Sequence, residues 1–156
     1  MRRIVCGGQS GVDRAALDAA LTAGFACGGW CPKGREAEDG PIPGHYPLIE
    51  TDSDDPARRT ELNVRDSDAT LIVTTLPLCG GTRLTAELSH RLGRPVLVID
   101  IDTKELGAAI DQLGRFLLTH RTGTLNVAGP RASESAAASV FAGKLIGGLL
   151  KRLVPA

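Results

Sequence analysis

Ile4-Val5-Cys6-Gly7-Gly8-Gln9-Ser10-Gly11-Val12-Asp13-Arg14 is a short apolar run, a glycine-rich turn and the opening of a helix, in that order. Ala15, Ala16, Ala19 and Ala20 then form one helical face, and Leu17 and Leu21 another. A strand feeding a glycine turn and a helix N-terminus builds an anion pocket. Glycines let the backbone come close to a ligand, and the unpaired first-turn N–H groups point at it with the positive end of the helix dipole. The spacing is neither G-x-G-x-x-G nor the Walker lysine motif, so it specifies no particular nucleotide, and a plain turn after a first strand fits it as well.

Outward from this stretch, apolar runs alternate with helical periods. Strands are expected near 3–6, 24–28, 46–50, 69–74, 95–100 and 124–128, and helices near 11–22, 56–65, 83–92, 103–119 and 134–153. Ala69-Thr70-Leu71-Ile72-Val73-Thr74 and Pro95-Val96-Leu97-Val98-Ile99-Asp100 are almost continuously apolar, as strands covered on both faces must be. Asp55 before Pro56 is a cap followed by the proline that suits a first helical position. Asp102 and Glu105 have capping-box spacing ahead of Leu106, Ala109, Ile110, Leu113, Phe116 and Leu117. The alternation predicts an α/β fold over residues 1–156: one Rossmann-like domain with an open, mostly parallel sheet and helices on both faces.

Composition excludes several functions. Eighteen basic residues balance eighteen acidic ones among 156, so no overall field favours nucleic acid or an anionic membrane. Aromatic residues make up 3%, which leaves little stacking surface for single-stranded bases. No apolar run reaches spanning length and no signal peptide is visible, so the chain reads as soluble and cytoplasmic. Cys6, Cys27, Cys31 and Cys79 include no C-x-x-C pair, and His45, His90 and His120 show no ligand spacing with them. They read as small buried hydrophobes, and no metal site is expected. The last helix carries Val140, Phe141, Leu145, Ile146, Leu149, Leu150 and Leu153, more apolar surface than one stripe needs. With Gly143, Gly147 and Gly148 allowing close approach, it predicts a homo-oligomer.

In a doubly wound sheet, ligands sit beyond the carboxyl ends of the strands. The segments that follow the predicted strands are therefore the candidates. They are the loop at 7–14, Gly28-Gly29-Trp30-Cys31-Pro32-Lys33-Gly34-Arg35-Glu36-Ala37-Glu38-Asp39-Gly40, Leu76-Pro77-Leu78-Cys79-Gly80-Gly81-Thr82-Arg83-Leu84-Thr85-Ala86-Glu87, and Ala128-Gly129-Pro130-Arg131-Ala132-Ser133-Glu134. Three of them place glycines directly before a helix start, so three helix N-termini can aim donors at one place.

These blocks carry a resemblance. G-G-Q-S-G-V-D-R-A-A-L-D, G-G-W-C-P-K-G-R-x-A-E-D-G-x-I-P-x-x-Y-P-L-x-E, R-x-x-x-N-V-x-D-S-D-A-T-L-I-V, G-G-T and L-N-V-A-G-P-R-x-S together resemble the putative molybdenum carrier family. That family belongs to the SLOG group of Rossmann-like proteins, related to the DprA proteins and the "Lonely guy" phosphoribohydrolases. The resemblance covers almost the whole chain. It implies a domain that binds a nucleotide, a nucleotide derivative or a molybdenum cofactor or molybdate, and that is usually oligomeric. The phosphoribohydrolases carry P-G-G-x-G-T-x-x-E, whose glutamate acts at the N-glycosidic bond. Here the run Cys79 to Glu87 holds a glutamate displaced in register, which sets the binding or carrier reading ahead of cleavage of a nucleoside monophosphate.

Residue by residue, the candidate site is as follows. Gly7, Gly8, Gln9, Ser10 and Gly11 with Gly80, Gly81 and Thr82 would hold a phosphate-bearing small molecule by backbone N–H groups. Asp13 and Arg14 open the first helix, where the arginine either forks onto phosphate or joins a solvated ion pair. Trp30 would stack on a ring or make a subunit contact, with Lys33 and Arg35 as cations for the anion. Glu36, Glu38 and Asp39 fit either a metal-bound phosphate or a solvated acidic turn. Arg59 and Asn63 share a helical face that points to the sheet edge or to solvent. Thr82 and Thr85 offer hydroxyls, Arg131 and Ser133 form a further anion site, and Glu87 would face the sugar or act as acid/base unless it only complements its helix dipole.

Overall fold

The apolar run Ala69–Thr74 is buried at every position because it lies inside a parallel sheet with helices over both faces. The computed structural model describes residues 1–155. In chain order the elements are β1 (Arg3–Val5), α1 (Val12–Thr22), β2 (Cys27–Gly28), β3 (Trp30–Cys31), β4 (Glu36–Ala37), β5 (Gly40–Pro41), β6 (Ile49–Glu50), α2 (Pro56–Arg65), β7 (Ala69–Thr74), α3 (Gly80–Arg91), β8 (Val96–Asp100), α4 (Leu106–Thr119), β9 (Thr124–Ala128) and α5 (Ala136–Leu153).

The central sheet has the order β2-β1-β9-β7-β8, and every pairing in it is parallel. The units β1-α1-β2 and β7-α3-β8 run outward from the middle in opposite directions. Right-handed crossovers then put their helices on opposite faces. α5 accordingly packs with both α1 and α4 on one face, and α3 with α2 on the other. The strand order reverses at β1, β9 and β7, so their carboxyl ends frame the crevice where such sheets hold ligands.

The main core joins Ile4, Leu71, Val73, Ile99, Leu125 and Val127 of the sheet to Leu113, Leu145, Ile146 and Leu150 of α4 and α5. Helix α5 is covered by α1 and α4 at once, which accounts for its broad apolar face within one subunit. Gly148 serves the same packing, since a Cβ there would stand 2.5 Å from the Ile110 side chain, whereas one on Gly143 would make only ordinary contact with Ala15 at 3.8 Å. Val140 and Leu153 remain exposed. No helix among the described residues is long and apolar enough to cross a membrane.

Four local expectations are corrected. Only Cys27–Gly28 of the 24–28 stretch pairs in the main sheet. The 46–50 stretch supplies β6, which pairs with β3 in a ribbon of its own, Trp30 opposite Ile49. Between 28 and 46, where the sequence reading places no strand, β4 and β5 pair as a hairpin. The cap of α4 is Glu105, whose carboxylate accepts from the Gly107 N–H, while the carboxylate of Asp100 receives the N–H of Asp102 in the preceding turn. Asp55 caps α2 ahead of Pro56 as its sequence implies.

Candidate functional site

A cleft of about 560 Å³ opens beyond the carboxyl ends of β1, β7 and β9. Small-molecule sites commonly measure about 300–1,000 Å³. The loop after β1 contributes Gly7, Gln9 and Asp13, and the loop after β7 contributes Thr75, Leu76, Pro77 and Cys79. Gly80, Gly81, Thr82 and Thr85 of α3 form one wall, Arg59, Thr60 and Asn63 of α2 another, and Gly129, Pro130, Arg131 and Glu134 the remaining rim. The three glycine loops expected to aim helix N-termini at one place all contribute to this cleft.

The two glycine turns differ in what they offer. In the first, the Asp13 carboxylate accepts from the N–H of Gly7 at 3.1 Å and of Gln9 at 3.3 Å. The side-chain oxygen of Gln9 takes the N–H of Ser10, and the Pro130 carbonyl takes that of Val12. These donors are engaged inside the protein. The glycines here serve close approach as much as conformation. A side chain on Gly8, at φ 75°, would collide with Leu48, and one on Gly11 would stand 2.5 Å from the Pro130 carbonyl oxygen.

Helix α3 is different. It begins at Gly80, earlier than the position near 83 expected from sequence, and its N-cap Cys79 contributes no side-chain hydrogen bond. The hydroxyls of Thr82 and Thr85 donate to the carbonyls of Cys79 and Gly81 instead of capping N–H groups. By contrast, α2, α4 and α5 are capped by Asp55, Glu105 and Ser135. The first-turn N–H groups of α3 therefore face the cleft with the positive dipole end behind them. A Cβ on Gly81 would meet nothing within 4 Å.

Electrostatics in the cleft centre on Asp13 and Arg59. Burial lifts Asp13 from 3.8 to about 6, against the pull of Arg59 and of the N–H groups of Gln9 and Gly7. Arg59 donates from Nη1 to the Gly7 carbonyl at 2.9 Å and from Nε to the Thr60 hydroxyl at 3.3 Å. Beneath them Cys6 is fully buried, and desolvation, reinforced by the Asp13 charge, raises its thiol well above the usual range. On the rim Arg131 is tied to Glu134, which accepts from both its backbone N–H and its Nε.

Other residues singled out from the sequence lie elsewhere. Trp30 is outside the cleft: its indole donates to Asp66 at 2.9 Å, and the side-chain amide of Asn63 bonds both its N–H and its carbonyl. Asn63, which lines the cleft, thereby also clamps α2 to β3. Arg35 donates to the carbonyls of Ile42, Pro43, Tyr46 and Leu48, holding its own loop together. Lys33 lines a shallow acidic hollow with Glu36, Glu50, Asp52 and Asp54. Arg14 forks onto Asp39 at 2.5 and 2.8 Å, which holds that carboxyl below its usual range. Ser10 and Ser133 both bond Glu38. Glu87 lies two turns into α3, exposed and paired with Arg83 at 3.0 Å, away from the cleft lining.

Thr75, Thr60 and Asn126 line the cleft although the expected site set omits them, and so do Leu76 and Pro77 of the expected 76–87 segment. Thr75 carries no chemical signature and is found only by placing the β7 carboxyl end. Asn126 is 3% exposed and donates to Thr70 on the cleft floor. Among the described residues no group of three or more His, Cys, Asp and Glu is placed to hold a metal ion.

Residues 4–150 match the model of the circularly permutated YpsA SLOG family. A crystal structure of a protein from Syntrophus aciditrophicus, named a putative molybdenum carrier protein, superposes with a TM-score of 0.94. The two chains are 39% identical, over 96% of this chain and 95% of that one. No curated protein matches the sequence.

Proposed function

Because the chain belongs to the circularly permutated YpsA SLOG family, we propose that it is a small-molecule binding protein, a carrier, whose cleft takes a phosphate-bearing or oxyanionic ligand at the N-terminus of α3. One observation carries this reading: the uncapped first turn of α3 opens into a 560 Å³ cleft at the point where the strand order reverses. Gly80, Gly81 and Thr82 supply N–H donors, and Arg59 supplies the nearby positive charge. A nucleotide or a molybdopterin-type cofactor would enter phosphate first, and free molybdate would use the same donors. The name of the Syntrophus relative favours molybdenum as cargo. No cluster of metal-ligating side chains is needed for such cargo, because an oxyanion or a cofactor phosphate is recognised through hydrogen bonds.

The alternative, cleavage of a nucleoside monophosphate by Glu87, has less support. Its carboxylate is engaged with Arg83 outside the cleft. The acids that do line the cleft, Asp13 and Glu134, are each committed to neighbouring N–H groups.

Gly81→Val tests the proposal. The new side chain enters open cleft space, so the fold survives while the N–H groups of α3 are screened. Calorimetric titration of parent and variant with AMP, inorganic phosphate and molybdate should show binding of at least one to the parent. The variant should bind that ligand at least tenfold more weakly. Equal affinity in the two would remove the α3 terminus from the site.

A further inference from the structure

Glu38 sits in the turn of the β4–β5 hairpin, and its carboxylate reaches away from the hairpin to two other loops. The hydroxyl of Ser10 donates a very short bond to one carboxylate oxygen, and the Ser133 N–H donates to the same oxygen at 3.1 Å. The Ser133 hydroxyl donates to the second oxygen at 2.5 Å, and the guanidinium of Arg131 stands 3.8 Å away. Ser10 is oriented for this task, since its oxygen also receives the N–H of Ala132 at 3.2 Å. The side chain of Glu38 is 19% exposed despite lying at a hairpin tip. The same contacts hold its carboxyl below the usual range.

Two hydroxyls, a backbone N–H and a guanidinium around one anion form a donor set that also fits a phosphate or another oxyanion. The nest adjoins the cleft: Arg131 lines the cleft wall and approaches Glu38, and Gln9 lines it while accepting the N–H of Glu38 at 3.0 Å. The hairpin is held unevenly. Its base is fixed by the four carbonyl bonds of Arg35 and by buried Ile42 and Tyr46. Its tip is held by polar bonds alone, those of Glu38 and the Asp39–Arg14 pair.

We propose that this nest is a second anion subsite, which the Glu38 carboxylate fills as an internal occupant, and that an anionic group of the ligand takes its place by unseating the hairpin tip. The inference rests on the cleft reading only for the source of the incoming group. The nest itself is testable with inorganic phosphate.

Amide NMR of the full chain provides the test. In Glu38→Ala the nest is vacated, so the Ser133 and Ala132 resonances should titrate with inorganic phosphate at a concentration at least tenfold lower than in the parent. Amide hydrogens of residues 36–41 should exchange at least tenfold faster in that variant. Glu38→Gln keeps the shape and an acceptor, and its phosphate midpoint should fall between the two. Adding Ser133→Ala to Glu38→Ala should abolish the response. Equal midpoints in parent and Glu38→Ala, no Ser133 response in the variant, or a response surviving loss of the Ser133 hydroxyl would each overturn the subsite. Repeating the titration with Gly81→Val added separates the two ideas. The Ser133 response should persist whatever happens at α3.

Discussion

Replacing Asp13 by asparagine isolates the electrostatic cost of a buried carboxylate at the cleft. The folded protein holds this acid at about 6, above the ordinary 3.8, so folding favours the protonated form. Below pH 3.8 the group is protonated in folded and unfolded chains alike and costs nothing. Above about pH 6 it is ionised in both, and the folded state carries the full penalty. At 1.36 kcal/mol per pH unit, the difference amounts to about 3 kcal/mol. Asparagine keeps an oxygen for the N–H groups of Gly7 and Gln9 and has no charge to desolvate. Stability lost by the parent as pH rises through this window is therefore retained by Asp13→Asn. Glu38, Asp39, Asp66 and Glu134 have depressed values and act in the opposite sense, but they are present in both proteins and cancel in the comparison. Urea unfolding of the two proteins from pH 3.5 to 7.5 should give a stability difference, variant minus parent, that climbs by about 3 kcal/mol and then levels off. A difference constant across that range would refute the assignment of a strained, ionised Asp13.

Two further outcomes follow from the cleft. Arg59→Ala removes the charge that opposes burial of Asp13, so its midpoint, followed by NMR of the carboxyl carbon, should move above about 6, and anion affinity should fall at least tenfold. Glu87→Gln breaks an exposed pair four residues apart on α3; unfolding free energy should change by no more than about 0.5 kcal/mol, and titration should find ligand affinity unchanged. A tenfold loss of affinity in that variant would restore Glu87 to the site.

The elements read best were those fixed by local chemistry. Asp55 and Pro56 set the start of α2, and the unbroken apolar runs placed β7 and β8. Pairing was less visible: nothing local in 46–50 says that it joins β3 and not the main sheet. The start of α3 lies ahead of its expected place because Gly80 and Gly81, residues typical of a turn, are its first two residues. The later start would bring Glu87 toward the site, whereas the structure turns it outward to Arg83. Convergence of three glycine loops was legible because the rule for strand ends is topological. The use of each donor was not. Asp13 reads equally well as a ligand group or as the internal partner of its own loop, and only the folded geometry distinguishes the two. Glu38 similarly looks like one more acid in a polar turn until Ser10 and Ser133, distant in sequence, are placed beside it.

The central position of β9 has a consequence for how the molecule is made. A ribosome releases β9 after all four strands that it ends up among. Until then β1–β2 and β7–β8 are two separate crossover units, each with an open parallel edge where Ile4 will meet Leu125 and Leu71 will meet Val127. Closing the sheet joins residues far apart in sequence, Ile4 with Leu125 above all, so the entropy of a long loop must be overcome before that pairing forms. The nascent chain thus displays the β1 edge early in its synthesis, and both unpaired, apolar strand edges in the interval between the release of β7 and that of β9. Such edges are where wrong pairing between neighbouring chains begins, and where a chaperone would be most useful.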